Sequence, residues 1–225
     1  MNKLISYLSQ SNIVGKIVHT LNYCLKSELV DCQTVLDLGC GPSSPIQFCK
    51  NIKYSVGVEI FPQYLSESKK RHIHTKYLDK DFLKLKFAKN SFDAVIMIEV
   101  LEHLDKKDGL EIIKRASMWA KKKIIISTPN GYFPMDEVDQ NLYQKHRSGW
   151  NVSELSKLKF KVRGVSGLKL FYNSHNEIDS LITGSNYTNI RFYPKPFFYY
   201  LNGLMQILSY YLPKYSFGLF AIKKL

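Results

Sequence analysis

The chain has 225 residues, 45% of them hydrophobic, enough for one buried core and too many for a disordered segment. Its formal charge of +13 comes mostly from lysines in short runs such as Lys69-Lys70-Arg71 and Lys121-Lys122-Lys123; these suit solvated helix ends, no RNA-recognition signature joins them, and a nucleic-acid partner is not expected. The first 29 residues lack the order of a signal peptide, and Cys24, Cys32, Cys40 and Cys49 form no Cys-x-x-Cys or zinc spacing, so a cytoplasmic chain with reduced thiols and no metal is expected.

In chain order, Leu4, Ile5, Leu8, Val14, Ile17, Val18, Leu21 and Leu25 recur at helical spacing, which predicts one or two amphipathic helices over residues 4–29 and an N-terminal helical segment over 1–30. A core over 31–190 follows. Strands are predicted at 35–38, 54–58 and 75–78, with helices over 45–51 and 62–71 between them. Residues 92–98 are nearly all apolar and read as a central strand covered on both faces. A helix over 105–120, with Asp105 as its cap and Leu110, Ile113 and Met118 buried, leads to a strand at 123–127. The regularity then weakens, with a helix starting near Ser153 and a strand at 161–165. Residues 191–225 supply a helix over 197–212, between Pro196 and Pro213, and a last strand at 217–223 that completes the same domain. The alternation is that of an α/β fold.

Chemistry gathers at the strand ends. Val35-Leu36-Asp37-Leu38-Gly39-Cys40-Gly41 runs from a strand into a glycine turn, where the backbone can approach a ligand and Asp37 can face a cationic amine. Glu59 ends the second strand twenty residues after Gly39, the distance at which an acidic side chain accepts hydrogen bonds from ribose hydroxyls. Asp81-Phe82 follows the third strand, with Asp79 a rival. Glu99-Val100-Leu101-Glu102-His103-Leu104 leaves the fourth at the switch point of the sheet, where Glu99 and Val100 should line a pocket. Ser127-Thr128-Pro129-Asn130-Gly131-Tyr132 leads into a loop at 132–145 long enough to cover an acceptor, and His146 follows it. His146, and after it His103, is the first choice for a general base; for each, the alternative is a histidine that anchors its loop. Trp150 reads as a packing residue, and His72, His74, His103 and His146 do not cluster in sequence as zinc ligands do.

These motifs, in this order, resemble the class I S-adenosylmethionine-dependent methyltransferases, in particular the small-molecule type of the quinone pathway. The resemblance covers residues 33–170 and, by order, the last strand. It implies a Rossmann-like seven-stranded mixed sheet of order 3-2-1-4-5-7-6 with helices on both faces and strand 7 antiparallel. It also implies S-adenosyl-L-methionine as cofactor, held by Asp37, Gly39, Cys40, Gly41, Glu59, Ile60, Asp81, Phe82, Glu99 and Val100, with Asp81 on the adenine amino group. Where the family has Gly-Phe before strand six, this chain has Lys159-Phe160.

Methyl transfer to oxygen or nitrogen of a small-molecule or lipid-linked acceptor is the reading this favours, in a monomer or homodimer. A nicotinamide oxidoreductase fits less well, since Ser44 stands where the fingerprint wants a third Gly or Ala and no Tyr-x-x-x-Lys is suitably placed. A cofactor-binding protein without turnover remains open. So does the tail: a 16-residue helix over 197–212 rises about 24 Å, short of a bilayer span, and Asn202, Gln206 and Ser209 interrupt it. It meets a membrane interface, a partner or the core.

Overall fold

The computed structural model describes residues 12–137, 139–173 and 190–225. The expected helix before Asn12, and residues 174–189 of the expected core, lie outside them.

Thr20 divides the N-terminal segment into two helices, α1 (Asn12–Val18) and α2 (Leu21–Glu28). His19 adopts a left-handed conformation (φ 56°), and Thr20 then caps α2 by accepting the Tyr23 N–H at 3.3 Å. Seven strands follow: β1 (Thr34–Leu38), β2 (Tyr54–Glu59), β3 (Lys76–Asp79), β4 (Phe92–Ile98), β5 (Ala120–Pro129), β6 (Lys161–Leu168) and β7 (Ser216–Lys224). They form one sheet of order β3-β2-β1-β4-β5-β7-β6. β7 is antiparallel to both neighbours, and the remaining pairs are parallel.

Strand alternation separates two cores. Leu36, Leu38, Val95, Met97, Ile124 and Ile126 face one side, against Ile112, Ile113, Ala116 and Trp119 of α4 (Lys106–Trp119) and Leu155 of α5 (Val152–Lys157). Val35, Ala94, Ile96, Ile125, Phe220 and Ile222 face the other, with Leu25 of α2. Burying both faces explains why these strands read as continuous apolar runs. α3 (Pro62–Lys70) connects β2 to β3.

Three expectations are corrected. The helix expected over 45–51 is a single 3-10 turn, Pro45–Phe48: Ser44 caps it by accepting the Ile46 N–H, and the Asn51 amide, donating to the carbonyls of Leu29 and Cys32, pins the exit before a second turn forms. In α4, Leu110 and Met118 are exposed, and the buried stripe is Gly109, Ile112, Ile113, Ala116 and Trp119, since Trp150 packs where Gly109 has no side chain. Asp105 sits at the cap position without a side-chain cap bond, its carboxylate lying 3.9 Å from Arg147 instead.

The third concerns the tail helix, α6 (Lys195–Tyr211). Asn202, Gln206 and Ser209 do not interrupt it; they are its packing face, at 3%, 6% and 0% exposure. β6 carries an irregularity between Val165 and Leu168, where Ser166 (φ 65°) and Gly167 (φ 76°) turn left-handed and point backbone groups at the helix. Gln206 accepts the Gly167 N–H at 2.5 Å and donates to the Gly164 carbonyl; Asn202 accepts the Leu168 N–H at 2.8 Å. Buried backbone donors demand such partners. Phe198, Leu201 and Met205 pack beside them, and Phe197, Tyr200, Leu204, Leu208 and Tyr211 are left outside.

Candidate cofactor and acceptor site

The site is built where β1 and β4 part. After Leu38 the chain turns through Gly39 (φ 69°) and Gly41 (φ 56°), with the N–H groups of Gly39 and Cys40 both donating to the Val58 carbonyl at 2.8 and 3.0 Å. A β-carbon at Gly39 would come 2.7 Å from Val100 Cγ2, so β4's exit packs directly on the turn. At Gly41 a β-carbon would meet nothing within 4 Å, because that position opens on a cavity.

Glu59, at the end of β2, locks this arrangement. Its Oε2 accepts the Gly41 N–H at 3.0 Å and its Oε1 the Phe61 N–H at 2.9 Å. Each oxygen keeps a further lone pair for a ligand hydroxyl. Burial raises its pKa, against the backbone donors.

Asp37 is fully enclosed. It accepts the Ser44 hydroxyl at 2.5 Å, and His74 Nε2 approaches it to 3.4 Å without hydrogen-bonding. The imidazole can lie there because Gly57, paired with Asp37 across β1 and β2, has no side chain: a β-carbon would sit 2.5 Å from His74 Cδ2. Burial pushes Asp37 up to about 7, with Ser44 opposing and Glu59 adding to the rise. Burial also lowers His74 to about 4, so a neutral ring faces the carboxyl. His74 was not foreseen; its only signal is a histidine just before the third strand.

Asp81 begins a 3-10 turn (Phe82–Lys84), its Oδ1 accepting the Leu83 N–H at 2.9 Å. It faces the cavity together with Phe82, whereas its rival Asp79 ends β3 on the surface. Glu99 takes a left-handed conformation (φ 55°), gives its N–H to the Ser127 carbonyl at 2.9 Å and accepts the Ser127 hydroxyl.

All these residues enclose one cavity of about 430 Å³: Asp37, Gly39, Cys40, Gly41, Glu59, Ile60, Asp81, Phe82, Glu99 and Val100 line it. Ser44, Tyr64, Tyr143, Gln144 and Arg147 line it too, unforeseen. Ser44 stands at the third position of the glycine fingerprint, Tyr143 and Gln144 belong to the loop expected to cover an acceptor, and Arg147 follows that loop. A Glu59 that holds the turn, an open position at Gly41 and a buried acid at Asp37 fit a ligand with ribose hydroxyls and a cationic amine.

The two histidines differ. His103 lines the cavity; His146 lies behind it, 5% exposed, its Nδ1 bonded to the Phe133 carbonyl at 2.6 Å, with ring centroids 4.9 Å apart. Burial lowers both, His103 to about 4, so both rings are neutral near pH 7. Trp150 is buried, its indole N–H on the Leu101 carbonyl at 3.3 Å, a packing residue as expected.

Fold and site together resemble those of the class I S-adenosylmethionine-dependent methyltransferases, whose cofactor is S-adenosylmethionine. Residues 36–123 match the family model described as a methyltransferase domain. It is 25% identical over 187 residues to a sterol 24-C-methyltransferase of Pneumocystis carinii, covering 76% of this chain and 46% of that protein, so it spans about half the length of that curated relative. Among solved structures it is similar in fold to an S-adenosylmethionine-dependent methyltransferase from Archaeoglobus fulgidus (18% identity, 94% and 97% of the two chains, TM-score 0.54). It is likewise similar to the small RNA methyltransferase HEN1 (16% identity, 89% and 24%, TM-score 0.56). None of the helices among the described residues is long and apolar enough to cross a membrane.

Proposed function

We propose that this chain transfers a methyl group from S-adenosylmethionine to an oxygen or nitrogen of a small-molecule or lipid-linked acceptor. One observation carries the reading: Asp37, Glu59 and Asp81, suited to the cofactor, share a single cavity with Tyr143 and Gln144 of the covering loop, with Arg147 just after it and with His103. At about 430 Å³ it lies towards the small end of ligand cavities, which run from about 300 to 1,000 Å³. It suits a cofactor and one small reacting group.

Bound S-adenosylmethionine supplies a methyl on a sulfonium and a good leaving group, which leaves the protein mainly to align two reactants and exclude water. Asp37 and the glycine turn would hold the amino acid end, Glu59 the ribose and Asp81 the adenine. Neutral His103 would orient an acceptor hydroxyl; at about 4 it is a weak base near neutrality. His146 lies too deep to touch the acceptor first, which reverses the order in which the sequence ranks them.

The lipid-linked option is supported by α6. Its outer face presents Phe197, Tyr200, Leu204, Leu208 and Tyr211, with exposed Arg191 and Lys214 beyond its ends, a composition that suits an anionic membrane surface.

Incubation with methyl-labelled S-adenosylmethionine and separate sets of phenols and alcohols, amines, and a lipid extract tests the transfer. Label is expected in one set. Cofactor binding with no transfer to any would favour a binding protein without turnover. Leu204→Glu with Leu208→Glu should abolish flotation with anionic vesicles; equal flotation would remove the membrane contact.

A further inference from the structure

A second cavity, of about 450 Å³, lies between the 3-10 turn Pro45–Phe48, where a longer helix was expected, and the turn from α3 into β3. Ser55 at the start of β2 lines it, together with Arg71, His72, His74 and Thr75. None of the residues lining it also lines the cofactor cavity. His74 joins the two, its Nε2 standing 3.4 Å from Asp37 Oδ2.

Donors that lack acceptors dominate its polar lining. The Thr75 hydroxyl accepts the Ser55 N–H at 3.1 Å, and the Ser55 hydroxyl accepts the Thr75 N–H at 3.3 Å. This reciprocal pair fixes both oxygens and leaves each O–H proton to be donated. His74 is buried, and neither of its ring nitrogens has a hydrogen-bond partner. Its Cδ2 is held against β2, 2.5 Å from where a β-carbon at Gly57 would lie, so the opposite ring edge, which carries Nδ1, is turned away from the sheet. Arg71 is absent from the ion pairs among the described residues. None of the lining residues is acidic, and exposed Lys50, Lys53, Lys69 and Lys70 flank the lining segments. Buried donors left unpaired are costly, and each calls for a partner.

We propose that this cavity is a second ligand site, one that takes a phosphate group. Phosphate oxygens are strong acceptors, and the Arg71 guanidinium, two hydroxyls and imidazole N–H groups supply the donors they need. A hard cation would instead require carboxylate or carbonyl oxygens, and a sugar would require acceptors to match its donors. His72 supports the reading: it ends α3 in a left-handed conformation (φ 53°), a position that glycine fills with less strain, so an imidazole is kept beside the cavity at a conformational cost. At about 450 Å³ the cavity falls among small-molecule sites, which run from about 300 to 1,000 Å³, and it leaves room beyond the phosphate for the organic part of a monoester.

The site is placed to bias the cofactor cavity, on the reading that Asp37 receives the cofactor's ammonium. Burial keeps the His74 ring neutral and pushes the Asp37 carboxyl up to about 7. A phosphate oxygen that accepts the Nδ1–H would favour a second proton on the ring, and Asp37 can supply it. The Oδ2–H bond breaks, an Nε2–H bond forms, and the electron pair stays on the carboxylate. A cationic amine prefers that carboxylate, so bound phosphate would tighten S-adenosylmethionine binding, and S-adenosylmethionine would tighten phosphate binding by the same factor.

The test is calorimetry of the full chain without cofactor, with glycerol 3-phosphate and inorganic phosphate as separate probes, beside nitrogen NMR of histidine-labelled protein. One ligand per chain is expected, with a shift of the His74 Nδ1 resonance. Arg71→Gln, at an exposed position outside the cofactor cavity, should weaken phosphate binding about 10- to 100-fold and change S-adenosylhomocysteine affinity, measured without phosphate, less than about twofold. Tighter binding of glycerol 3-phosphate assigns the site to a monoester, and equal binding assigns it to free phosphate. No binding of either probe at millimolar concentration, binding that leaves the His74 resonances in place, or undiminished affinity in Arg71→Gln overturns the site. The His74 resonance needs no variant, so it decides even if a substitution disturbs folding. Equal S-adenosylmethionine affinity with and without saturating phosphate overturns the coupling, whereas phosphate binding without any S-adenosylmethionine binding overturns the cofactor reading alone.

Discussion

Glu59 Oε2 accepts the backbone N–H of Gly41 at 3.0 Å while Oε1 accepts that of Phe61 at 2.9 Å, so one carboxylate shapes the glycine turn and lines the cavity in which we propose that ribose hydroxyls are received. The two tasks cannot be separated by mutation. Glu59→Ala leaves two backbone donors without an acceptor, and hydrogen bonds to charged groups contribute about 1.5–3 kcal/mol each. We expect a loss of about 2–4 kcal/mol in urea unfolding and at least a tenfold weaker affinity for S-adenosylmethionine; an unchanged affinity in the folded variant would exclude Glu59 from the ribose site.

The two glycines of the turn should fail differently. Gly39→Ala combines a positive φ with a 2.7 Å approach to Val100 Cγ2, so stability should fall by about 1–3 kcal/mol, with Val100→Ala restoring part of it in a double-mutant cycle. Gly41→Ala meets no neighbour and should lose about 1 kcal/mol, yet its methyl enters the cavity and should weaken cofactor binding more than tenfold. Thermal melts beside calorimetry separate the two.

Asp37 gives a pH signature. Its folded pKa, about 7, lies above its ordinary value of 3.8, so the folded state binds the extra proton and this group's contribution to stability falls as pH rises from about 4 to 7. A cationic ligand prefers the carboxylate, so S-adenosylmethionine affinity should rise from pH 5.5 to 7, by up to about tenfold per unit. Asp37→Asn should flatten both profiles; an unchanged slope would assign the titration elsewhere.

For α6, Gln206→Leu should cost about 2–3 kcal/mol, because the Gly167 N–H and Gly164 carbonyl lose their partner. Leu204→Gln, on the outer face at 60% exposure, should change stability by less than about 0.5 kcal/mol. Equal losses would contradict the polarity assigned to the helix.

That polarity marks where sequence reasoning stops. The strands were legible because buried parallel strands are apolar throughout, their order came with the family resemblance, and the lining of the cavity by Asp37, Glu59 and Glu99 was legible because they sit at strand ends, where topology places ligands. Nothing in the sequence announces the left-handed backbone at Ser166 and Gly167, so Asn202 and Gln206 read as interruptions of an apolar face instead of partners for exposed backbone donors. Leu110 and Met118 were misplaced for a related reason: Gly109, with no side chain to count as apolar, marks the stripe that meets Trp150. His74 and Asp37, or His103 and His146, meet only through the fold, and spacing along the chain carries no trace of either pair.

The central claim is that the pocket around Asp37 and Glu59 binds S-adenosylmethionine, and calorimetry of the wild type and Asp37→Ala tests it most directly. The wild type should bind one S-adenosylmethionine or S-adenosylhomocysteine per chain and no NAD, and Asp37→Ala, folded by circular dichroism, should bind neither cofactor form. Binding of NAD alone, or undiminished S-adenosylmethionine affinity in Asp37→Ala, would contradict it.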